Sequence, residues 1–125
     1  EIGSGLVGSE MCIRDRFITG YIYDRKKNIR IKDIYYIIVE DHLCYIFLYE
    51  NKKSICIRDT IGNIEKSHLS NGLVRINRST IINMLHIKDI KKNKICLKNN
   101  IELIISLGYN KHFEKHYQSY IWGLL

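Results

Sequence analysis

Residues 73–87 read LVRINRSTIINMLHI, and the layout of polar and apolar positions in this stretch decides the fold class. Arg75, Asn77, Arg78, Ser79 and Asn83 are strung between Leu73, Val74, Ile76, Ile81, Ile82 and Ile87, aliphatic side chains that suit a pleated, buried surface. Polar groups are thereby held on a packed frame. Extended runs are expected at 73–76 and 81–90, with a polar loop between them. Asn83, inside an apolar run, must satisfy its amide and is expected to bond the backbone of a neighbouring turn.

Toward the N-terminus, Ile29 opens IRIKDIYYIIV, Glu40-Asp41-His42 makes a charged turn into LCYIFLY, and Asn51-Lys52-Lys53 leads into SICIRD. Three strands in hairpin sequence are expected. Between Thr60 and Leu69 the period changes: Ile61, Ile64, His68 and Leu69 share one face, with Asp59 or Thr60 as a cap in front and Asn71-Gly72 behind. This predicts a short amphipathic helix. Toward the C-terminus, residues 91–94 turn into ICLK and Asn99-Asn100 into IELII. After Ser106, Tyr109, Phe113, Tyr117 and Tyr120 recur at helical spacing, with Ser106 or Asn110 as the cap. A helix this short is marginal alone, so its aromatic stripe is expected to dock on the sheet or, as the alternative, on a partner.

The chain has 125 residues, enough for one domain that buries roughly two-thirds of its unfolded surface. Its hydrophobic share is 46%, mostly Ile, Leu, Val and Tyr with essentially no Ala, which favours a mainly β fold. No apolar run approaches the roughly 20 residues of a membrane helix, so no membrane partner is expected. Net charge is +7, and residues 65–125 carry 10 Lys/Arg against 4 Asp/Glu. A surface this basic attracts polyanions of every kind, and motifs must choose among them.

Cys12, Cys44, Cys56 and Cys96 are widely spaced without a C-x-x-C pair and read as reduced, partly buried thiols of a cytoplasmic protein. The first sixteen residues, EIGSGLVGSEMCIRDR, share no periodicity with the rest of the chain, and VGSEMCIRDR resembles a translated sequencing-adapter artefact. Residues 1–16 are expected to form a non-domain leader and residues 17–125 the domain.

His112 and His116 flank Glu114 in HFEKH, but this is not H-E-x-x-H and no third ligand is indicated, so no metal or other cofactor is expected. There is no nucleophile elbow, carboxylate pair or Gly-rich phosphate loop opening a strand-helix unit, so neither an enzyme nor a small-molecule substrate is expected.

Several motifs occur in the order found in the LytTR-type DNA-binding domain, which the chain resembles over a core of about 29–117. IKDIYYI is similar to the family's opening pattern. Arg75, Asn77, Arg78, Ser79, Ile82 and Asn83 resemble its R-x-N/H-R-S block and the Val/Ile-Asn pair after it. Ser106 ends a strand before a basic segment with Lys111 and Lys115. The chain departs in two places: Leu107 and Gly108 stand where the family commonly has Arg, and the acidic end of the first strand is Ile38 or is displaced to Glu40.

The resemblance implies elongated antiparallel β-sheets with one short central helix and a short C-terminal helix. It also implies double-stranded DNA as the partner, read through loops at promoter repeats, often by two copies of the domain. The contact regions it implies are residues 41–45, residues 77–79 and the segment after Ser106. Candidate DNA-binding residues are therefore His42, Asn77, Arg78, Ser79 and Lys111, with Arg75 and Lys92. Arg78 offers paired donors to guanine, Asn77 an amide to adenine or phosphate, and the lysines contact phosphate without reading sequence. For Arg75 an ion pair or strand-face role is the competing reading. The implied function is transcription regulation in a bacterial cytoplasm, by the output half of a two-component response regulator or a stand-alone regulator. The alternative is a small basic β-rich module that binds RNA, an anionic surface or a protein without promoter specificity.

Overall fold

The aliphatic runs pair into two antiparallel sheets in a computed structural model that describes residues 17–22, 24–48 and 54–124. The leader at 1–16 with Cys12, and the turn at Asn51, Lys52 and Lys53, lie outside the described residues. One sheet has seven strands: β1 (Phe17–Ile22), β2 (Arg25–Arg30), β3 (Ile34–Glu40), β4 (Leu43–Leu48), β5 (Ser54–Arg58), β6 (Leu73–Arg75) and β7 (Thr80–Asn83), in the order β2-β1-β5-β4-β3-β7-β6. The other has β8 (Ile87–Lys91), β9 (Lys94–Leu97) and β10 (Glu102–Ile104), in the order β10-β9-β8. Helix α1 (Ile61–His68) lies between β5 and β6, and α2 (Asn110–Leu124) comes after β10. The mainly β antiparallel architecture with a short central and a C-terminal helix is as expected.

The centre of the large sheet is covered on both faces, which is why its strands read as unbroken apolar runs rather than as clean alternation. On one face Ile34, Ile37, Cys44, Ile46, Ile57 and Ile81 pack with Ile64 of α1 and with Ile18 and Ile29 of the β1–β2 hairpin. On the other, Tyr35, Tyr36, Val74 and Ile82 pack with Ile95 and Leu97 of β9 and Phe113 of α2. The aromatic stripe of α2 docks there: Phe113 is buried, and Tyr109, Tyr117 and Tyr120 are half-buried beside it. Gly20 of β1 lies so close to Ile57 that a Cβ would stand 2.9 Å from the Ile57 Cβ.

Two expected strands are each broken, and one buried side chain explains both breaks. Asn83 donates its amide to the carbonyls of Ile31 (2.9 Å) and Ile34 (3.0 Å), at the edges of a 3-10 turn, Ile31–Asp33, that interrupts the run from Ile29. Its amide oxygen accepts from the N–H of Leu85 (3.0 Å) and caps a second 3-10 turn, Met84–His86, so that residues 81–90 split between the two sheets. The expected backbone role of Asn83 is thus met across some fifty residues of sequence. The β1–β2 hairpin is not anticipated from the sequence, and its end, Ile29 and Arg30, takes the start of the expected first strand; its second strand, RKKNIR, is a charged sheet edge, which masks the apolar signal.

The predicted boundaries of α1 hold. Thr60 Oγ1 accepts from the N–H of Asn63 (3.2 Å), Asp59 supports that cap, and Gly72, at φ 99°, closes the turn after the helix. Ser106 opens a 3-10 turn, Leu107–Tyr109, that runs into α2 at Asn110.

Candidate nucleic-acid interface

Four connections meet at one end of the molecule because backbone hydrogen bonds join them edge to edge. Val39 N–H donates to Ser79 O (2.8 Å), which sets the β3–β4 turn beside the β6–β7 loop. Ile76 N–H donates to Thr80 O (3.0 Å) and closes that loop, and Ser106 N–H donates to Ile76 O (2.9 Å), drawing in the segment after β10. Ile105 N–H donates to Asn93 O (2.7 Å) and so adds the β8–β9 turn. His42, Asn77, Arg78, Ser79 and Lys92 thereby fall on this end, with Lys111 just beyond it at the start of α2.

Local chemistry shapes each piece. Asp41 (φ 50°) and His42 (φ 66°) are both left-handed, as a two-residue hairpin turn of this hand requires, and both are exposed. In the β6–β7 loop Asn77 Oδ1 accepts from the backbone N–H of Ser79 (2.9 Å) and lies 3.4 Å from its hydroxyl, an Asx turn. Its Nδ2 donates to Ile104 O (3.4 Å). Buried Ile76 and Thr80 anchor the two ends of the loop, and Arg78 at its tip is exposed.

Arg75 stands behind this loop rather than at its tip. Its Nε donates to Asn77 O (3.0 Å), its Nη2 to Arg78 O (2.7 Å), and its guanidinium lies 5.3 Å from the centroid of the Tyr109 ring. The backbone N–H of Arg75 donates to Glu65 Oε2 (3.1 Å), and the same oxygen is 2.6 Å from His112 Nε2. Arg75 stands out in the sequence, but its partners Glu65 and Tyr109, and the His112 that meets Glu65, lie outside the 73–87 stretch, and no local pattern links them to it.

The charge at this end is uneven. Arg78, Lys91, Lys92 and Lys111 are exposed, Lys94 is shared with Glu102 at 3.6 Å, and exposed Glu40 and Asp41 make the β3–β4 turn its least basic part. Leu107 is 89% exposed, the most exposed large hydrophobic side chain among the described residues. His112 and His116 lie ring to ring at 4.6 Å on α2, and among the described residues no cluster of three His, Cys, Asp or Glu is arranged to hold a metal ion. Cys44, Cys56 and Cys96 are free thiols; burial, together with Asp59 and Cys56, pushes that of Cys44 up to about 12.

Residues 24–118 match the LytTr DNA-binding domain. The chain belongs to that family. A solved LytTr DNA-binding domain from Bacillus cereus shares the fold at a TM-score of 0.64 and 20% identity, over 81% of this chain and 95% of that one. No curated protein matches the sequence. The LytTr domain is a DNA-binding family, not a catalytic one, and no helix among the described residues is long and apolar enough to cross a membrane.

Proposed function

We propose that this LytTr domain reads specific sequences in duplex DNA and regulates transcription in a bacterial cytoplasm, as the output part of a two-component response regulator or as a stand-alone regulator. The Bacillus cereus domain of the same fold is described as part of a methyl-accepting/DNA response regulator, which favours the first form. The observation that carries the reading is Arg78: an exposed guanidinium at the tip of a loop whose backbone is held at both ends and from behind.

In the major groove Arg78 donates in parallel to O6 and N7 of a guanine, a contact that discriminates by roughly 1–3 kcal/mol. Asn77 contributes less to base reading, because its amide oxygen is taken by Ser79. A bidentate contact to adenine would require that turn to open, so its N–H serves phosphate or a single acceptor. Ser79, Lys92 and Lys111 fix the register on phosphates, and His42 reaches the duplex from the β3–β4 turn. Promoter repeats are occupied by two copies of the domain, each using this end.

Selection of bound fragments from random duplex DNA tests the proposal. A recurring motif, containing guanine where Arg78 reads, is the expected result; recovery of unrelated sequences in proportion to their input would instead mark a generic polyanion binder.

A further inference from the structure

We propose that Arg75 and Glu65 are positioning residues for sequence readout, acting through Arg78 without touching DNA; this rests on the proposal that Arg78 reads bases. Arg75 is half-buried, its guanidinium donates to the carbonyls of Asn77 and Arg78, and its central carbon lies over the Tyr109 ring at 5.3 Å from the centroid. Those two carbonyls belong to an irregular loop with no ladder partner, so without the guanidinium they would turn to water and the loop would sample other conformations. Arg78 projects from the second of these peptide groups. Fixing that group reduces the freedom Arg78 must lose when it settles on a base, and a reader held in place discriminates better than a mobile one.

Glu65 extends the brace into the body of the protein. A single carboxylate oxygen accepts from the backbone of Arg75 and lies against His112, so α1, β6 and α2 meet at one atom directly behind the loop. Lys in place of Arg75 keeps the charge but loses the planar fork that bonds two carbonyls at once.

The test compares the wild type with Arg75→Lys, Arg75→Ala, Glu65→Gln, Arg78→Ala and the double variant Arg75→Ala/Arg78→Ala. Each is measured on the wild type's selected duplex and on a scrambled duplex, over a salt series, with a thermal melt confirming the fold. Arg78→Ala is expected to lose roughly tenfold of the preference. Arg75→Lys and Glu65→Gln should lose severalfold, and Arg75→Ala should leave the salt dependence of binding unchanged. The double variant should be no less selective than Arg78→Ala alone, because Arg75 works only through Arg78.

A decrease of about one in the salt slope on Arg75→Ala would make it a phosphate contact and overturn the inference. So would losses that multiply in the double variant, or full preference in both Arg75→Lys and Glu65→Gln. A wild type with no preference would instead remove the underlying reading of Arg78.

Discussion

Asn83 donates its side-chain amide to the carbonyl of Ile34 at 3.0 Å, joining positions 49 residues apart inside the core. Together with its bonds to Ile31 and Leu85, this defines where four strands begin or end. Asn83→Ala removes three hydrogen bonds, those to the carbonyls of Ile31 and Ile34 and that from the N–H of Leu85, at about 1 kcal/mol each, while the carbonyl of Ile31 keeps the N–H of Ile34. The expected loss is about 3 kcal/mol in urea unfolding, large for a domain of this size. A loss under about 0.5 kcal/mol would mean that water replaces the amide without penalty.

Gly72 is the hinge between the α1 segment and β6, and at φ 99° it adopts backbone geometry that an L side chain resists. A Cβ there would also stand 3.4 Å from both Asn83 Oδ1 and Tyr120 Cε1. Gly72→Ala is expected to destabilise the protein by about 1–2 kcal/mol and to lower its melting temperature by several degrees. Gly62→Ala, in an exposed turn of α1 with open space around it, should by contrast stabilise slightly.

Acid should weaken the fold partly through His86. Its ring donates from Nε2 to Lys32 O (2.6 Å) and meets Tyr35 edge-on, and burial holds its pKa below the ordinary 6.5 despite that hydrogen bond. The unfolded chain therefore binds this proton more readily than the folded one does. Stability is fully present above about pH 6.5 and is lost as pH falls through that value toward the lower folded pKa. Urea midpoints between pH 7.5 and 5 should fall, and His86→Gln should flatten the slope; an equal slope in the variant would assign the effect to other groups, such as His116, whose pKa is also lowered.

Thiol reactivity should separate the cysteines. Cys44 is buried, donates to Asp59 O (3.4 Å), and its pKa of about 12 leaves almost no thiolate at neutral pH. Alkylation of the native protein, mapped by mass spectrometry, should modify Cys56 and Cys96 first and Cys44 only on unfolding. Prompt native labelling of Cys44 would show that β4 and β5 open locally.

Much of this architecture was legible because the helices carry local signals. Thr60 and Gly72 bracket α1 as expected, and the aromatic spacing from Tyr109 to Tyr120 foretold the buried face of α2. The two 3-10 turns were not legible: nothing beside Ile31 or Met84 announces a break, since the amide that makes both comes from Asn83 by tertiary contact. At the candidate interface Arg78 and its loop stood out, because polar residues interrupt an aliphatic run. That Arg75 faces inward toward Asn77 O and Arg78 O was hidden, as its partners Tyr109 and Glu65 lie 34 and 10 residues away.

Base reading by Arg78 is tested most directly by measuring the affinity of the wild type, Arg78→Ala and Lys92→Ala for a selected duplex and its scrambled counterpart at several salt concentrations. Arg78→Ala should lose preference between the two duplexes by roughly tenfold, whereas Lys92→Ala should weaken both alike and reduce the salt slope by about one. Equal behaviour of the two variants, with the preference intact in both, would contradict the account.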